Sequence, residues 1–264
     1  MKAIYTAAFL LLSSLYLTSC LDNVVEGHGA MSTESRPVNK AFNSVEIDAP
    51  VDATITIQPG STSSFSLSGY SNLLKHIRTE IKDSTLHIFI PEITEMHTDK
   101  NLTAQITLPS LIGLSISGSS DVNIVGDIIG SEFNADASGA AKINVQSVNV
   151  DNMTVDMSGK GSFSALGGKV GVAEYDASGA MTIKAYGLEC RRVRVDMSGA
   201  GHAEVFATEK LKADVSGAGN VTYKGNPQLI TDISGIGSVS RADGSPNPAE
   251  ANASSDRNST DNDW

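Results

Sequence analysis

Six aspartates recur at nearly equal spacing in the second half of the chain, and each stands two residues before a Ser-Gly pair. Carboxylates in such a row could bind cations, since calcium prefers oxygen ligands. They could instead cap the turn that follows, because a hydrogen bond from a backbone N–H to a charged acceptor contributes about 1.5–3 kcal/mol. The six residues are Asp136, Asp156, Asp176, Asp196, Asp214 and Asp232.

Charge repulsion and sequence motifs help to distinguish the two interpretations of this aspartate ladder. Neighbouring carboxylates about 4.8 Å apart repel by roughly 0.9 kcal/mol in a water-like dielectric, so turn capping alone can outweigh the repulsion. The glycine- and aspartate-rich nonapeptide of calcium-binding β-rolls is absent from the chain. We therefore favour the structural role and predict no metal site and no cofactor. A cation ladder remains the alternative.

The Ser-Gly pairs define an internal repeat. Between Ser117 and Ser234 seven serines follow one another at steps of 21, 20, 20, 20, 18 and 18 residues. A period near twenty is typical of a solenoid, in which one repeat cannot bury its apolar face alone. The glycine of each pair is predicted to supply positive φ or a close backbone approach at a turn. These turn glycines are Gly118, Gly139, Gly159, Gly179, Gly199, Gly217 and Gly235.

Alternation inside each repeat predicts strands. Val155 and Met157 alternate with Asp156 and Ser158, which is the period of a strand with one buried face. Successive repeats can stack about 4.8 Å apart through parallel ladder hydrogen bonds. We therefore predict an all-β parallel β-helix of about seven coils of about 20 residues over residues 111–240. The residues predicted to stack in its interior are Ala137, Met157, Ala177, Met197, Val215 and Ile233.

The segments on either side of the repeats have other patterns. Residues 42–110 contain short strand-like runs without a visible period, and we predict irregular coils or a cap for the N-terminal edge of the solenoid. Residues 241–264 are rich in Asn, Asp, Ser, Pro and Ala, which predicts disorder.

The first residues are predicted to direct export. Residues 1–19 combine Lys2 with a short apolar run, as in a signal peptide. The run ends in Leu17-Thr18-Ser19-Cys20, which resembles a bacterial lipobox and implies cleavage before Cys20 and lipidation of that cysteine. Residues 20–41 are then an anchor and linker. Leu21 after the cysteine resembles lipoproteins of the outer membrane, so we expect an outer membrane lipoprotein of the bacterial envelope.

Charge and composition narrow the choice of partners. The net charge of −11 and the pI near 4.8 argue against nucleic acid, whose phosphates would be repelled. Cys190 is the only other cysteine, so an acylated Cys20 leaves no intramolecular disulfide. The one basic cluster comprises Arg191, Arg192 and Arg194, and either ion pairs with the ladder or contact with an anionic glycan would account for it. The aromatic candidates for stacking on a sugar are Tyr186, Phe206 and Tyr223.

Several motifs of the chain resemble one bacterial family. They are Gly27-His28-Gly29, Phe42-x-x-Val45-x-Ile47, Ile55-x-Ile57-x-Pro59-Gly60, Asn72-Leu73-Leu74, Ile116-Ser117-Gly118-Ser119, Met157-Ser158-Gly159 and Tyr223-Lys224-Gly225-Asn226-Pro227. Over residues 24–240 the chain is similar to the head GIN domain family, described as putative autotransporter adhesins. The resemblance implies a right-handed β-helix on exported, often lipid-anchored proteins, and it carries no catalytic residue across.

These features favour a non-enzymatic, lipid-anchored surface binding module. The partners we expect are the membrane, through the lipid, and a polysaccharide or a surface protein. Parallel β-helices also include pectin-cleaving enzymes, but a hydrolase would need clustered carboxylates in different environments, and the seven repeats show no such local break. A polysaccharide-processing enzyme and a purely structural envelope protein remain the alternatives.

Overall fold

The structure is a computed structural model that describes residues 23–91 and 94–244 of the 264-residue chain. Within these residues the chain is almost entirely β-strand, with one four-residue helix, so the predicted all-β class is confirmed. The elements in chain order are β1 Asn23–Glu26, β2 Met31–Arg36, β3 Ser44–Asp48, β4 Val51–Ile57, β5 Ser64–Tyr70, α1 Ser71–Leu74, β6 Arg78–Lys82, β7 Thr85–Phe89, β8 Thr94–His97, β9 Leu102–Leu108, β10 Gly113–Ala165, β11 Gly168–Lys224, β12 Gln228–Gly235 and β13 Ser238–Arg241.

The two longest strands, β10 and β11, stack in parallel. They contain 53 and 57 residues, and straight strands of that length would extend for roughly 170–190 Å. Instead the chain bends at intervals, and β10 pairs with β11 so that Asp156 faces Asp176, twenty residues later. β11 pairs with β12 so that Asp214 faces Asp232, eighteen residues later. The repeat spacing of the sequence is therefore the register spacing of the sheet.

The glycines of the Ser-Gly pairs lie at bends within these long strands. All seven have positive φ, from 102° at Gly139 to 128° at Gly235. They also lie directly over one another, since a Cβ on Gly159 would collide with the carbonyl oxygen of Gly139, and a Cβ on Gly179 with that of Gly159. Glycine thus meets two requirements at once, the backbone angle and the close approach of adjacent strands.

Apolar side chains from successive repeats form one continuous core. In the row after the aspartates, the first five residues from Ala137 to Val215 are buried. Ile233, the last of the row, is 42% exposed because β12 has no further repeat stacked on it among the described residues. Phe163 and Tyr175 are buried nearby with their ring centroids 6.1 Å apart.

The segment before the repeats combines parallel and antiparallel strand pairing. β3 pairs in parallel with β7 and β10, and β4 pairs in parallel with β9 and β10, so parallel stacking begins before the sequence period becomes visible. Antiparallel strands then close the two edges of this sheet: β2 and β5 lie beyond β9, and β6 lies beyond β7. Residues 42–110 and 111–240 therefore share one sheet and one core.

The chain ends depart in part from the sequence predictions. The segment 20–41, predicted to be an anchor and linker, contains β1, which pairs with β8, and β2, which pairs with β5. Cys20 and the signal peptide lie outside the described residues, as do residues 245–264 of the predicted tail. Among the described residues, no helix has the length and apolar character needed to cross a membrane.

Replacing Gly179 by alanine should destabilise the protein more than replacing Gly118. Both glycines have positive φ, 112° and 103°, a strain of order 1–3 kcal/mol for another residue type. Only the Cβ at Gly179 would collide with a neighbouring carbonyl, because no heavy atom lies within 4 Å of one built on Gly118. We expect Gly118→Ala to lower the free energy of unfolding by about 1–3 kcal/mol and Gly179→Ala by clearly more, as measured by circular dichroism in denaturant. Equal losses would show that close stacking does not constrain the repeat.

Candidate functional site

The six predicted aspartates form a single outward-facing row. Register pairs join Asp156 to Asp176 and Asp214 to Asp232, and the stacked glycines place the remaining members in the same line. Alternation with buried residues directs each carboxylate to the surface, where Asp136, Asp156, Asp176 and Asp232 are exposed, and Asp196 and Asp214 are half-buried.

The turn-capping role that we predicted for these carboxylates stays a prediction, and no hydrogen bond described within residues 23–91 and 94–244 joins one of the six to a Ser-Gly bend. Their direct partners are two basic side chains: Arg194 lies 3.9 Å from Asp196, and Lys212 lies 3.6 Å from Asp214. The backbone N–H groups near the bend belong to continuous parallel strands, which pair with the adjacent repeats instead.

Electrostatics in the ladder are unfavourable for ionised carboxylates. Partial burial, and then the neighbouring charge of Asp156, raise the pKa of Asp136. Partial burial also raises the pKa of Asp176, followed by the charges of Asp196 and Asp156, while Arg194 opposes the shift. The uniform row is therefore a cost of stacking identical repeats, offset by the apolar core beneath it.

The cation ladder, our alternative interpretation, finds no complete ligand set. Calcium takes six to eight oxygen ligands, yet among the described residues no group of three or more His, Cys, Asp or Glu side chains could hold a metal ion. A shallow cleft of about 210 Å³ does lie between the first repeats, lined by Asp136 and Asp156 with serine side chains. Adjacent register alone does not make this pair a metal centre.

The aspartate row extends into the N-terminal strands, which the sequence did not indicate. In the stack of strands Asp136 lies beside Ser115. Ser115 is paired with Glu46, and Glu46 is paired with His87. The Nδ1 atom of His87 lies 2.8 Å from Glu46 Oε2. No sequence signal could have revealed this pair, because residues 42–110 lack the period from which register could be read.

Most of the basic cluster takes part in ion pairs. Arg191 contacts both carboxylate oxygens of Glu209, at 2.9 and 3.3 Å, and this pairing raises the pKa of Arg191 and lowers that of Glu209. Arg194 is the partner of Asp196 described above, and the buried Nε atom of Arg192 has no hydrogen-bond partner. Of these three arginines only Arg194 therefore pairs with the ladder, whereas Arg191 pairs with Glu209, which lies outside it.

Cys190 is a core residue rather than a reactive thiol. It is buried inside β11, its Sγ lies 3.5 Å from the carbonyl oxygen of Leu188, and burial raises the pKa of Cys190 to about 12. The thiolate form is therefore negligible at neutral pH.

A second group of polar side chains brings together Glu204, His202, Thr222 and Tyr186. The Tyr186 hydroxyl donates to Thr222 Oγ1 at 2.6 Å, and that oxygen lies 3.4 Å from His202 Nε2. Glu204 Oε1 lies 3.5 Å from the same Nε2. A nucleophile–histidine–acid triad needs the acid on one ring nitrogen and the nucleophile on the other, so this arrangement is not one.

The aromatic candidates separate into core and surface. Tyr223 is fully buried, which makes the prediction of an exposed aromatic wrong at this position. Tyr186 and Phe206 are half-buried on the outer surface, and Lys224 Nζ lies 4.6 Å from the centre of the Tyr186 ring. Only these two of the three could therefore present ring surface to a ligand.

One cleft lies at the N-terminal end of the sheet. It encloses about 430 Å³ between β6, the segment after β2, and the side chains of Phe65 and Leu86. Arg36 closes one side, because its guanidinium donates to the carbonyl oxygens of Leu74 and Ile77 and pairs with Glu34. The guanidinium thus holds the cap together and has little capacity left for a ligand.

Replacing Asp176 by asparagine should leave stability unchanged or raise it at neutral pH. A raised folded pKa means that the group stabilises the fold fully below its ordinary value of 3.8, and that this contribution is lost as the pH rises through the folded pKa. Asparagine does not ionise, so the variant has no such pH-dependent contribution at this position. Its free energy of unfolding should therefore decline less than that of the wild type between pH 3.8 and neutrality. Asp151→Asn, at an exposed carboxylate outside the ladder, is the control in parallel denaturant titrations. A clear loss of stability in Asp176→Asn alone would support the capping role.

Comparisons with known proteins identify relatives of this architecture. A crystal structure of a putative adhesin from Bacteroides fragilis is 25% identical, with a TM-score of 0.77 over 82% of this chain and 99% of its own. A putative adhesin from Parabacteroides distasonis is 22% identical, with a TM-score of 0.67 over 83% and 100%. A putative lipid binding protein from the same species is 18% identical, with a TM-score of 0.65 over 83% and 99%.

The last two likenesses show a shared fold alone. The search of curated proteins gave no match. The family described as "Putative auto-transporter adhesin, head GIN domain" matches residues 41–227, which include β3 to β11 and most of the shared sheet. The family resemblance drawn from the motifs is thereby confirmed, and the chain belongs to the head GIN domain family of putative auto-transporter adhesins.

Proposed function

We propose that the protein is a lipid-anchored, exported and non-enzymatic binding module that acts as an adhesin at the bacterial cell surface. The observation that carries the proposal is the regular outer surface of the stacked repeats, where equivalent side chains recur on successive strands. Such a surface offers contact area to a polymer or a protein rather than an enclosed pocket. Membership of an adhesin-like family supports the same reading.

We further propose that the stacked repeats form a right-handed parallel β-helix of about seven coils. Parallel pairing at offsets of eighteen and twenty residues supports continuous winding. The right hand is the one that the family resemblance implies.

The anchor in this proposal is Cys20. It follows an apolar run and a lipobox-like Leu17-Thr18-Ser19, and several acyl chains at about 0.8 kcal/mol per buried methylene hold a protein firmly on a membrane. Leu21 supports sorting to the outer membrane.

Labelling with radioactive palmitate tests the anchor directly. We expect the full chain, expressed in a Gram-negative host, to incorporate the label and sediment with outer membranes. Cys20→Ser should lose the label and leave the membrane fraction, whereas Cys190→Ser, at the buried thiol, should keep both. An unlabelled wild-type protein would refute the lipid anchor without bearing on the binding function.

The absence of catalysis is supported by the geometry of the polar groups. Glu204 and Thr222 approach the same nitrogen of His202, which leaves no acid to orient the imidazole as a base. The aspartate row is uniform, whereas two carboxylates of a glycosidase need distinct environments.

Incubation with polysaccharides separates binding from turnover. We expect the detergent-solubilised full chain to be retained on at least one polysaccharide or surface protein, with no release of reducing or unsaturated ends. Released ends that disappear in Asp156→Asn or Asp176→Asn would instead make this a polysaccharide-processing enzyme of pectin-lyase-like architecture. If the protein is neither retained nor releases sugar ends, the adhesin proposal is refuted and a purely structural envelope role remains.

A further inference from the structure

The outer surface of the last repeats carries an apolar and aromatic strip. Tyr186, Phe206 and Lys224 occupy corresponding outward positions in successive repeats, since Gly201 lies over Met181 and Gly225 over Ala207. Leu166, in the connection between β10 and β11, lies next to Gly187 and so beside Tyr186. Leu166 is 73% exposed, and the two aromatic rings are half-buried. We call these four side chains the aromatic strip.

Tyr186 lies along the sheet rather than pointing away from it. Its hydroxyl donates to Thr222 Oγ1 at 2.6 Å, and its ring contacts Lys224 Nζ at 4.6 Å from the centroid, although both partners lie two repeats further along the chain. The side chain therefore crosses the strand that carries Phe206. A ring whose hydroxyl is hydrogen-bonded to Thr222 is restricted in direction, which lowers the entropy cost of using it for binding.

Polar groups border the strip on one side. The neighbouring outward positions hold Lys184, Glu204 and Thr222, and His202 lies beyond them, 3.4 Å from Thr222 Oγ1. Lys184 is exposed, and Lys224 is held mainly by the ring, so both ammonium groups can donate to a ligand. Carboxylate, imidazole, hydroxyl and ammonium groups beside aromatic surface are the combination that recognises a sugar, whose C–H face is apolar and whose edge carries hydroxyls.

Geometry and charge narrow the class of sugar. Strands about 4.8 Å apart give a strip of four positions a length of roughly 14 Å, which suits several consecutive units of a linear chain rather than one monosaccharide. The net charge of −11 disfavours a polyanion. We propose that the aromatic strip, with Glu204, Thr222 and His202 at its side, is a binding site for a linear neutral polysaccharide. This inference rests on the proposed binding function and adds the ligand class and its location.

The contact between the Lys224 ammonium and the Tyr186 ring gives the site a simple mode of opening. The ammonium covers the ring while the site is empty, and an exposed lysine side chain can swing aside on its flexible stem. A sugar ring then stacks on Tyr186, and the displaced ammonium donates to a sugar hydroxyl.

Affinity measurements on the full chain in detergent test this site, with cellulose, xylan, mannan and starch as neutral probes and polygalacturonate and chitosan as charged ones. We expect wild-type protein to bind at least one neutral polysaccharide more tightly than polygalacturonate, while chitosan, a polycation attracted by the net charge of −11, serves as the control for non-specific electrostatic binding. Tyr186→Ala and Phe206→Ala should each weaken that binding by about tenfold or more, as for central aromatic contacts. Tyr186→Phe retains the ring but loses the hydrogen bond to Thr222 Oγ1, so it should weaken binding less than Tyr186→Ala does.

Two further variants control for unfolding and for non-specific stickiness. Leu166→Ser alters an exposed member of the strip and should weaken binding without lowering the melting temperature, whereas Ile129→Ala removes an exposed apolar side chain elsewhere (66% exposed) and should bind normally. Neutral polysaccharide binding that survives both aromatic-to-alanine changes would overturn the site and leave the adhesin proposal standing. Binding to a protein surface or to a charged polymer alone would also overturn it, and binding to nothing would refute both.

Discussion

Parallel stacking of the chain on itself is the interaction on which the rest of this structure depends. A single twenty-residue repeat has one apolar face and too little surface to bury it, so each repeat is stable only against its neighbours. The offset of Asp156 from Asp176 shows that sequence period and strand register are the same quantity here. Once that register is set, every side chain acquires an equivalent neighbour about 4.8 Å away.

That constraint explains features that would otherwise look functional. Gly179 must be glycine because the adjacent strand passes too close for a Cβ, and the same holds at the other bends of the line except Gly118. Asp176 faces other aspartates because the alternation of the strand fixes its position. Partial burial and the charges of Asp196 and Asp156 raise the pKa of Asp176, which shows that ionisation is unfavourable there. The core compensates, because apolar rows stack with the same regularity that brings like charges together.

The two ends of the sheet differ in how far other parts of the chain cover them. At the N-terminal end the antiparallel strands β2, β5 and β6 cover the stack, and Arg36 ties β2 to carbonyl groups around α1. At the other end β12 leaves Ile233 partly exposed and Ile236 86% exposed within the described residues. A covered end limits edge-to-edge pairing. The outer surface of the last repeats, where strand alternation has placed Tyr186 and Phe206, is the surface that we propose for contact with a partner.

The sequence alone determined the all-β class, the repeat and the outward direction of the aspartates, because period two and a twenty-residue period are written directly in residue order. It could not determine the pairing of Glu46 with His87, since that depends on a register with no visible period. Strand alternation alone could have separated buried Tyr223 from half-buried Tyr186, because Tyr223 shares the parity of buried Val221 and Tyr186 that of exposed Lys184. Only the tertiary structure decided which side chains meet across strands, because contacts such as Tyr186 with Lys224 join residues far apart in the chain.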